Sequence, residues 1–130
     1  MVVEDKVNFW RGNKNVNILC ISGKSGSGKS TLARRYFALF KENTPNQDCV
    51  VLDGDVCRRF ISADLAYTDE DRKTNNERIA KIALMLAFMG KSVIIATVRA
   101  DLAYEYIKKA CEKDEYMASR VSSILFKLTI

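Results

Sequence analysis

The chain of 130 residues has no histidine. Catalysis through an imidazole is excluded, and a Cys/His zinc site loses half of its ligand types. The four cysteines, Cys20, Cys49, Cys57 and Cys111, include no C-x-x-C pair. They read as reduced thiols that pack as small apolar groups. No apolar run reaches the length of a membrane span, and the longest, around Ile82 to Met89, is too short. Met1 to Lys6 lacks the organisation of a signal peptide, so a cytoplasmic location is expected. No block of one charge occurs. The net charge is +5, but bases are scattered among acids, as in Asp69-Glu70-Asp71-Arg72-Lys73. That pattern argues against a nucleic-acid partner and suits small anionic ligands. No repeat or low-complexity stretch is present, and the length suits one domain over residues 1–130.

Glycine is also sparse, with six in all, yet three of them fall at 23, 26 and 28. Residues 23–30 read Gly-Lys-Ser-Gly-Ser-Gly-Lys-Ser, which is the phosphate-binding pattern G-x-x-x-x-G-K-[ST]. A buried-strand sequence, Val16 to Ile21, precedes it, and helical spacing from Thr31 to Phe37 follows it. The glycines let the backbone curl around a phosphate, so that successive N–H groups form an anion nest. The first turn of the helix adds unpaired N–H groups and a positive dipole. Gly23, Lys24, Ser25, Gly26, Ser27, Gly28, Lys29, Ser30 and Thr31 are the candidate ATP phosphate-binding residues. Lys29 would reach the β- and γ-phosphates, and the Ser30 hydroxyl would ligate Mg²⁺.

Strand and helix patterns alternate along the rest of the chain. A helix is expected from about Lys29 to Lys41, with Leu32, Tyr36, Phe37 and Phe40 facing the core. The stretch 43–48, around Pro45, breaks it. Cys49 to Leu52 reads as a second strand, with a short helix near Val56 to Phe60. Thr68 and Asp71 suggest a capping box that opens a long helix with a stripe of Ile79, Ile82, Ala83 and Leu86 and a stop at Gly90. Ser92 to Val98 is a third strand, Asp101 to Lys113 a helix, and residues 123–130 a fourth strand candidate. The pattern implies an α/β fold of three layers, a parallel sheet with helices on both faces. Ligands in such sheets bind at the C-terminal strand ends. The polar motifs fall there.

Asp53-Gly54-Asp55 directly follows the second strand. Two acids facing a phosphate loop suit Mg²⁺ organisation and polarisation of an acceptor hydroxyl. Taken alone, the segment also fits a plain Asp-Gly turn. Lys29, Asp53 and Asp55 are the candidate catalytic residues, and Ser30 and Asp53 the candidate metal ligands.

Residues 20 to 98 resemble the adenylylsulfate kinases, P-loop kinases that phosphorylate the 3′-hydroxyl of adenosine 5′-phosphosulfate. The family's G-L-S-G-S-G-K-S-T corresponds to residues 23–31, and its L-D-G-D-x-x-R to Leu52 through Arg58. Its D-L-G-F-S-x-E-D-R-x-x-N follows without a gap as Asp64 through Asn75, and R-R-I becomes Glu77-Arg78-Ile79. The resemblance implies the P-loop NTPase fold, ATP with Mg²⁺, and adenosine 5′-phosphosulfate as acceptor. It implies that Arg58, Arg72 and Asn75 hold the phosphosulfate and ribose, that Tyr67 stacks on the acceptor adenine in place of a phenylalanine, and that Val98 lines the acceptor pocket. Outside the motif, Arg72 and Asn75 also fit a solvated helix face, and Tyr67 a staple before the Thr68 cap.

The family's F-I-S-P becomes Thr97-Val98-Arg99-Ala100, which puts a cation where the family has a small hydroxyl residue. Beyond Ala100 the motif likeness fades, and the family's basic lid, its K-A-R segment and the donor-adenine region have no clear counterpart. Two other readings stay open. One is a P-loop kinase with another acceptor, such as a sugar, a nucleoside or a polynucleotide end. The other is a nucleotide-binding module of weak catalytic power. Oligomeric state is not set by the sequence; a homodimer is one arrangement open to it.

Overall fold

The computed structural model describes residues 2–3, 16–116 and 125–130. Along these stretches run β1 (Val2–Val3), β2 (Ile18–Ser22), α1 (Lys29–Asn43), β3 (Cys49–Asp53) and α2 (Gly54–Phe60). They are followed by α3 (Asp69–Phe88), β4 (Ser92–Thr97), α4 (Ala100–Lys113) and β5 (Leu125–Thr129). The sheet order is β1-β5-β2-β4-β3. β2 pairs in parallel with β4 and β5, and β4 with β3. β1 adds an antiparallel edge, Val2 opposite Thr129. Two residues carry no periodicity, so this edge is invisible in the pattern of the sequence.

β2 and β4 are buried along their whole length, which accounts for their unbroken apolar runs. Alternate side chains serve opposite faces. Ile18, Cys20, Val93 and Ile95 pack with α3 and α4 through Ile79, Ala83 and Ile107. Leu19, Ile21, Ile94 and Ala96 pack with α1 through Ala33, Tyr36 and Phe40. The helix after β2 therefore covers one face and the helix after β4 the other. These neighbouring strands form the switch point, and their C-terminal ends open a crevice.

The long helix α3 is rotated relative to expectation. Asn75, Asn76, Ile79, Ala80, Ala83 and Ala87 are buried, whereas Ile82 and Leu86 are only half-buried. Alanines let the helix approach the sheet closely, so the face of small residues wins over the face of larger ones. Only half of the capping box forms. The Thr68 hydroxyl accepts from the Asp71 N–H at 3.1 Å. The Asp71 carboxylate does not reach back to Thr68; it accepts from the Ala66 N–H at 2.8 Å. The shorter acid tethers the incoming loop instead.

All four cysteines are free thiols, Cys20, Cys57 and Cys111 buried and Cys49 half-buried. Burial pushes each thiol up, Cys49 to about 12, so none ionises near neutral pH. No helix among the described residues is long and apolar enough to cross a membrane.

Gly90 ends α3 in a Schellman motif. Its φ is 83°, its N–H binds the Ala87 carbonyl, and the Lys91 N–H binds the Leu86 carbonyl, both at 3.0 Å. Gly90→Ala puts a Cβ on a left-handed residue at a cost of about 1–2 kcal/mol. Thermal unfolding should shift down by about 3–8 °C, as measured by circular dichroism.

Candidate active site

The P-loop bridges β2 and α1. Gly26 and Gly28 take φ of 79° and 94°, and Gly28 is the left-handed N-cap of α1. Such a conformation strains any residue with a Cβ. Gly23 is required for a different reason, because a Cβ there would sit 2.5 Å from the Ser27 hydroxyl oxygen. The Leu32 N–H makes the first helical bond, to the Gly28 carbonyl at 2.9 Å. The N–H groups of the preceding turn have no intrahelical acceptor, the arrangement that suits an anion at a helix N-terminus. The Lys29 ammonium lies across the loop and donates to the Lys24 carbonyl at 3.2 Å.

Asp53 is the best-held acid of the site. It is the N-cap of α2, and its Oδ1 accepts from the Asp55 N–H at 2.9 Å. Its Oδ2 accepts from the Ser30 hydroxyl, also at 2.9 Å. With both oxygens engaged, the carboxylate cannot turn away from the P-loop. Gly54 makes this approach possible. A Cβ at Gly54 would stand 2.9 Å from the Thr97 Cβ and 3.3 Å from the Ala96 carbonyl oxygen. Any side chain would push α2 off β4. Asp55, in the first turn of α2, is exposed.

The segment between α2 and α3 is clamped from both sides. Arg78 forks Asp64 at 2.8 and 3.1 Å and also donates to the Ile61 carbonyl at 3.1 Å. The guanidinium bonded to it holds the Asp64 carboxyl below the usual range. Arg58 donates to the Ala66 carbonyl and lies 4.4 Å from the centre of the Tyr67 ring. One face of Tyr67 thus carries a cation, while the side chain is 72% exposed. This occupation of Arg58 and Tyr67 by each other was not visible in the motif.

A buried polar pair joins α3 to β4. The Thr97 hydroxyl donates to Asn76 Oδ1 at 3.1 Å, and Asn76 Nδ2 donates to the Arg72 carbonyl at 2.9 Å. Asn75 is also buried, and its Oδ1 has no hydrogen-bond partner among the described residues. Arg99 forks Asp101 through Nε and Nη2, both at 2.9 Å. This bond lowers the Asp101 carboxyl and raises the Arg99 guanidinium.

These groups surround one cleft at the C-terminal ends of β2, β3 and β4. Its lining includes Lys29, Ser30, Asp53 and Asp55, and Ser25 from the loop. It also includes Arg58, Tyr67, Arg72, Asn75 and Val98, so every candidate acceptor residue faces the same space. Gly23, Lys24, Gly26, Ser27, Gly28 and Thr31 shape the loop and are not among the lining residues. Sequence reasoning missed Gly54, Asn76, Ala96 and Thr97 as cleft residues. A buried asparagine next to Asn75 on an otherwise apolar helix face was the available signal for Asn76.

A family model described as adenylylsulphate kinase matches residues 15–122, past Ala100 where the motif likeness fades. The adenylyl-sulfate kinase of Paraburkholderia xenovorans is 43% identical over 81 residues, covering 62% of this chain and 44% of that protein. The adenylyl-sulfate kinase of Prochlorococcus marinus is 43% identical over 97 residues, covering 74% of this chain and 45% of that protein. The chain therefore spans about half the length of these curated relatives. Among solved structures, the Mycobacterium tuberculosis APS kinase CysC in complex with AMPPNP and APS superposes with a TM-score of 0.66 at 25% identity. That superposition covers 88% of this chain and 62% of the other. The family model spans most of the chain, and the chain belongs to the adenylylsulphate kinase family.

Proposed function

We propose that the protein transfers the γ-phosphoryl group of ATP to the 3′-hydroxyl of adenosine 5′-phosphosulfate, giving 3′-phosphoadenosine 5′-phosphosulfate. One observation carries the reading: the P-loop's Lys29 and Ser30 share a single cleft with Arg58, Tyr67, Arg72 and Asn75. The solved relative that holds both AMPPNP and APS supports this pairing of ligands.

Phosphoryl transfer asks a protein chiefly for positioning and charge stabilisation. Lys29 and the loop N–H groups stabilise charge on the transferring group. Asp53 orients the acceptor hydroxyl and takes its proton late, with Asp55 assisting. Arg72 and Arg58 supply guanidinium donors for the phosphosulfate. The unpartnered Asn75 Oδ1 suits a ribose hydroxyl, because a buried acceptor seeks a donor. Tyr67 keeps an exposed aromatic face for the purine.

Mg²⁺ fits the residues present. The Ser30 hydroxyl and an Asp53 carboxylate oxygen already meet at 2.9 Å, and both are hard oxygen donors. Mg²⁺ bound with ATP would be held by Ser30 and Asp53 together with phosphate oxygens, and would neutralise developing phosphate charge. Arg99 in the cleft wall keeps a second reading in view, a kinase of the same mechanism with a different anionic acceptor.

Lys29→Ala should weaken ATP binding on the order of tenfold to a hundredfold, the loss of one charge-assisted contact. Calorimetry checks this, and equal affinity in both proteins would remove the P-loop from nucleotide binding. Asp53→Asn should lower kcat strongly and leave ATP affinity within a few-fold. A kcat near that of the parent would reduce Asp53 to a helix cap. Arg72→Ala should raise the acceptor KM with little effect on ATP binding. Binding of adenosine 5′-phosphosulfate in the presence of ADP, compared with AMP and simple sugars, decides the acceptor. Preference for a sugar would transfer the reading to another substrate class.

A further inference from the structure

Among the described residues, Arg99 is the cationic side chain of the cleft that the motifs leave without a role. It stands directly after β4, on the cleft wall shared with Arg72 and Asn75. Its position is held at both ends. The Arg99 N–H donates to the Thr97 hydroxyl oxygen at 3.3 Å, and Thr97 is tied through Asn76 to the carbonyl of Arg72. The side chain is held by the two-bond fork to Asp101. Asp101 is itself pinned, because its N–H donates to the Ser22 hydroxyl oxygen at 2.8 Å, one residue before the P-loop.

The fork uses the Nε and Nη2 edge of the guanidinium. A guanidinium has five N–H donors, so the Nη1–Nη2 edge still offers a second parallel pair. No described residue accepts a hydrogen bond from Nη1. The Arg99 side chain is 46% exposed, so the residue is not sealed from solvent. A preorganised guanidinium loses little further rotamer freedom on binding an oxyanion. An arginine free in solvent would lose far more. Asp101 offsets part of the charge and holds the guanidinium in place.

We propose that Arg99 is a specificity-determining residue of the acceptor site, whose free guanidinium edge binds an anionic group of the acceptor, with Asp101 as its positioning residue. This rests on the acceptor reading above for the identity of the ligand, but not for the existence of the anion fork. It makes charge on the acceptor, rather than its nucleoside, the feature read at this wall of the cleft.

The test combines binding with a spectroscopic report from Arg99 itself. Affinities for adenosine 5′-phosphosulfate and for uncharged adenosine are measured with ADP present, in the parent, Arg99→Ala, Arg99→Lys and Asp101→Asn. Arg99→Ala should weaken adenosine 5′-phosphosulfate roughly tenfold and adenosine by less than about twofold. Arg99→Lys should recover only part, because an ammonium lacks the fork. Asp101→Asn should fall between Arg99→Ala and the parent. In parallel, the Arg99 Nε–H resonance, identified by its loss in Arg99→Lys, is followed during titration with adenosine 5′-phosphosulfate, inorganic sulfate and adenosine. It should move with the two anions and stay still with adenosine. Equal losses for charged and uncharged ligands, or an unchanged anion affinity with a stationary resonance, would overturn the proposal. If adenosine 5′-phosphosulfate fails to bind the parent although ATP binds, the acceptor reading fails and the sulfate titration decides alone. Movement of the resonance then upholds the anion fork, and a stationary resonance overturns it.

Discussion

The side-by-side pairing of β2 with β4 at the middle of the sheet is the constraint on which the site depends. Both strands are wholly buried, so their positions are set by packing on two faces. The helices that follow them leave towards opposite faces, and the gap between their ends is the cleft. The P-loop grows from β2, Asp53 stands at the end of β3 on the far side of β4, and Thr97 and Arg99 extend from β4 itself. Three strand ends in fixed register thereby bring together groups that lie far apart along the chain.

Short polar links then set the orientation of each group. The Asp53 carboxylate spends one oxygen on capping α2 and the other on Ser30. The Asn76–Thr97 pair ties α3 to the central sheet. The Ser22–Asp101–Arg99 chain ties the first turn of α4 to the strand that carries the P-loop. Such bonds contribute only about 0.5–1.5 kcal/mol net when neutral and about 1.5–3 kcal/mol when one partner is charged, so each link adds modest stability while fixing geometry. Phosphoryl transfer is a reaction in which held geometry is most of what a protein contributes. The electrostatic side follows from the same placement. Lys29, Arg58, Arg72 and Arg99 share the cleft with Asp53 and Asp55, so cations outnumber acids where phosphate and sulfate esters would bind.

Local chemistry was legible where a residue type has a narrow use. Glycines 26 and 28 announced left-handed backbone, Thr68 announced a helix start and Gly90 a helix stop. The central strands β2 and β4 were legible as apolar runs, because strands buried on both faces carry no polar alternation. The rotation of α3 was not legible, since hydrophobicity ranks Ile82 and Leu86 above Ala80 and Ala87 while close packing prefers the smaller side chains. β1 was not legible because an edge of two residues is defined only by its partner, β5.

The sequence by itself determined the fold class and the phosphate-loop motif. These are properties of local pattern: period, turn residues and motif spacing. The tertiary structure alone decided that Asp53 bonds Ser30, that Arg58 lies over Tyr67, and that Arg99 is forked by Asp101. It also decided that Gly54 is needed for closeness to Thr97 and not for a turn. The Asp53–Ser30 and Gly54–Thr97 approaches join residues 23 and 43 positions apart and are set by packing, while the Arg58–Tyr67 and Arg99–Asp101 pairs depend on side-chain directions that sequence spacing does not give.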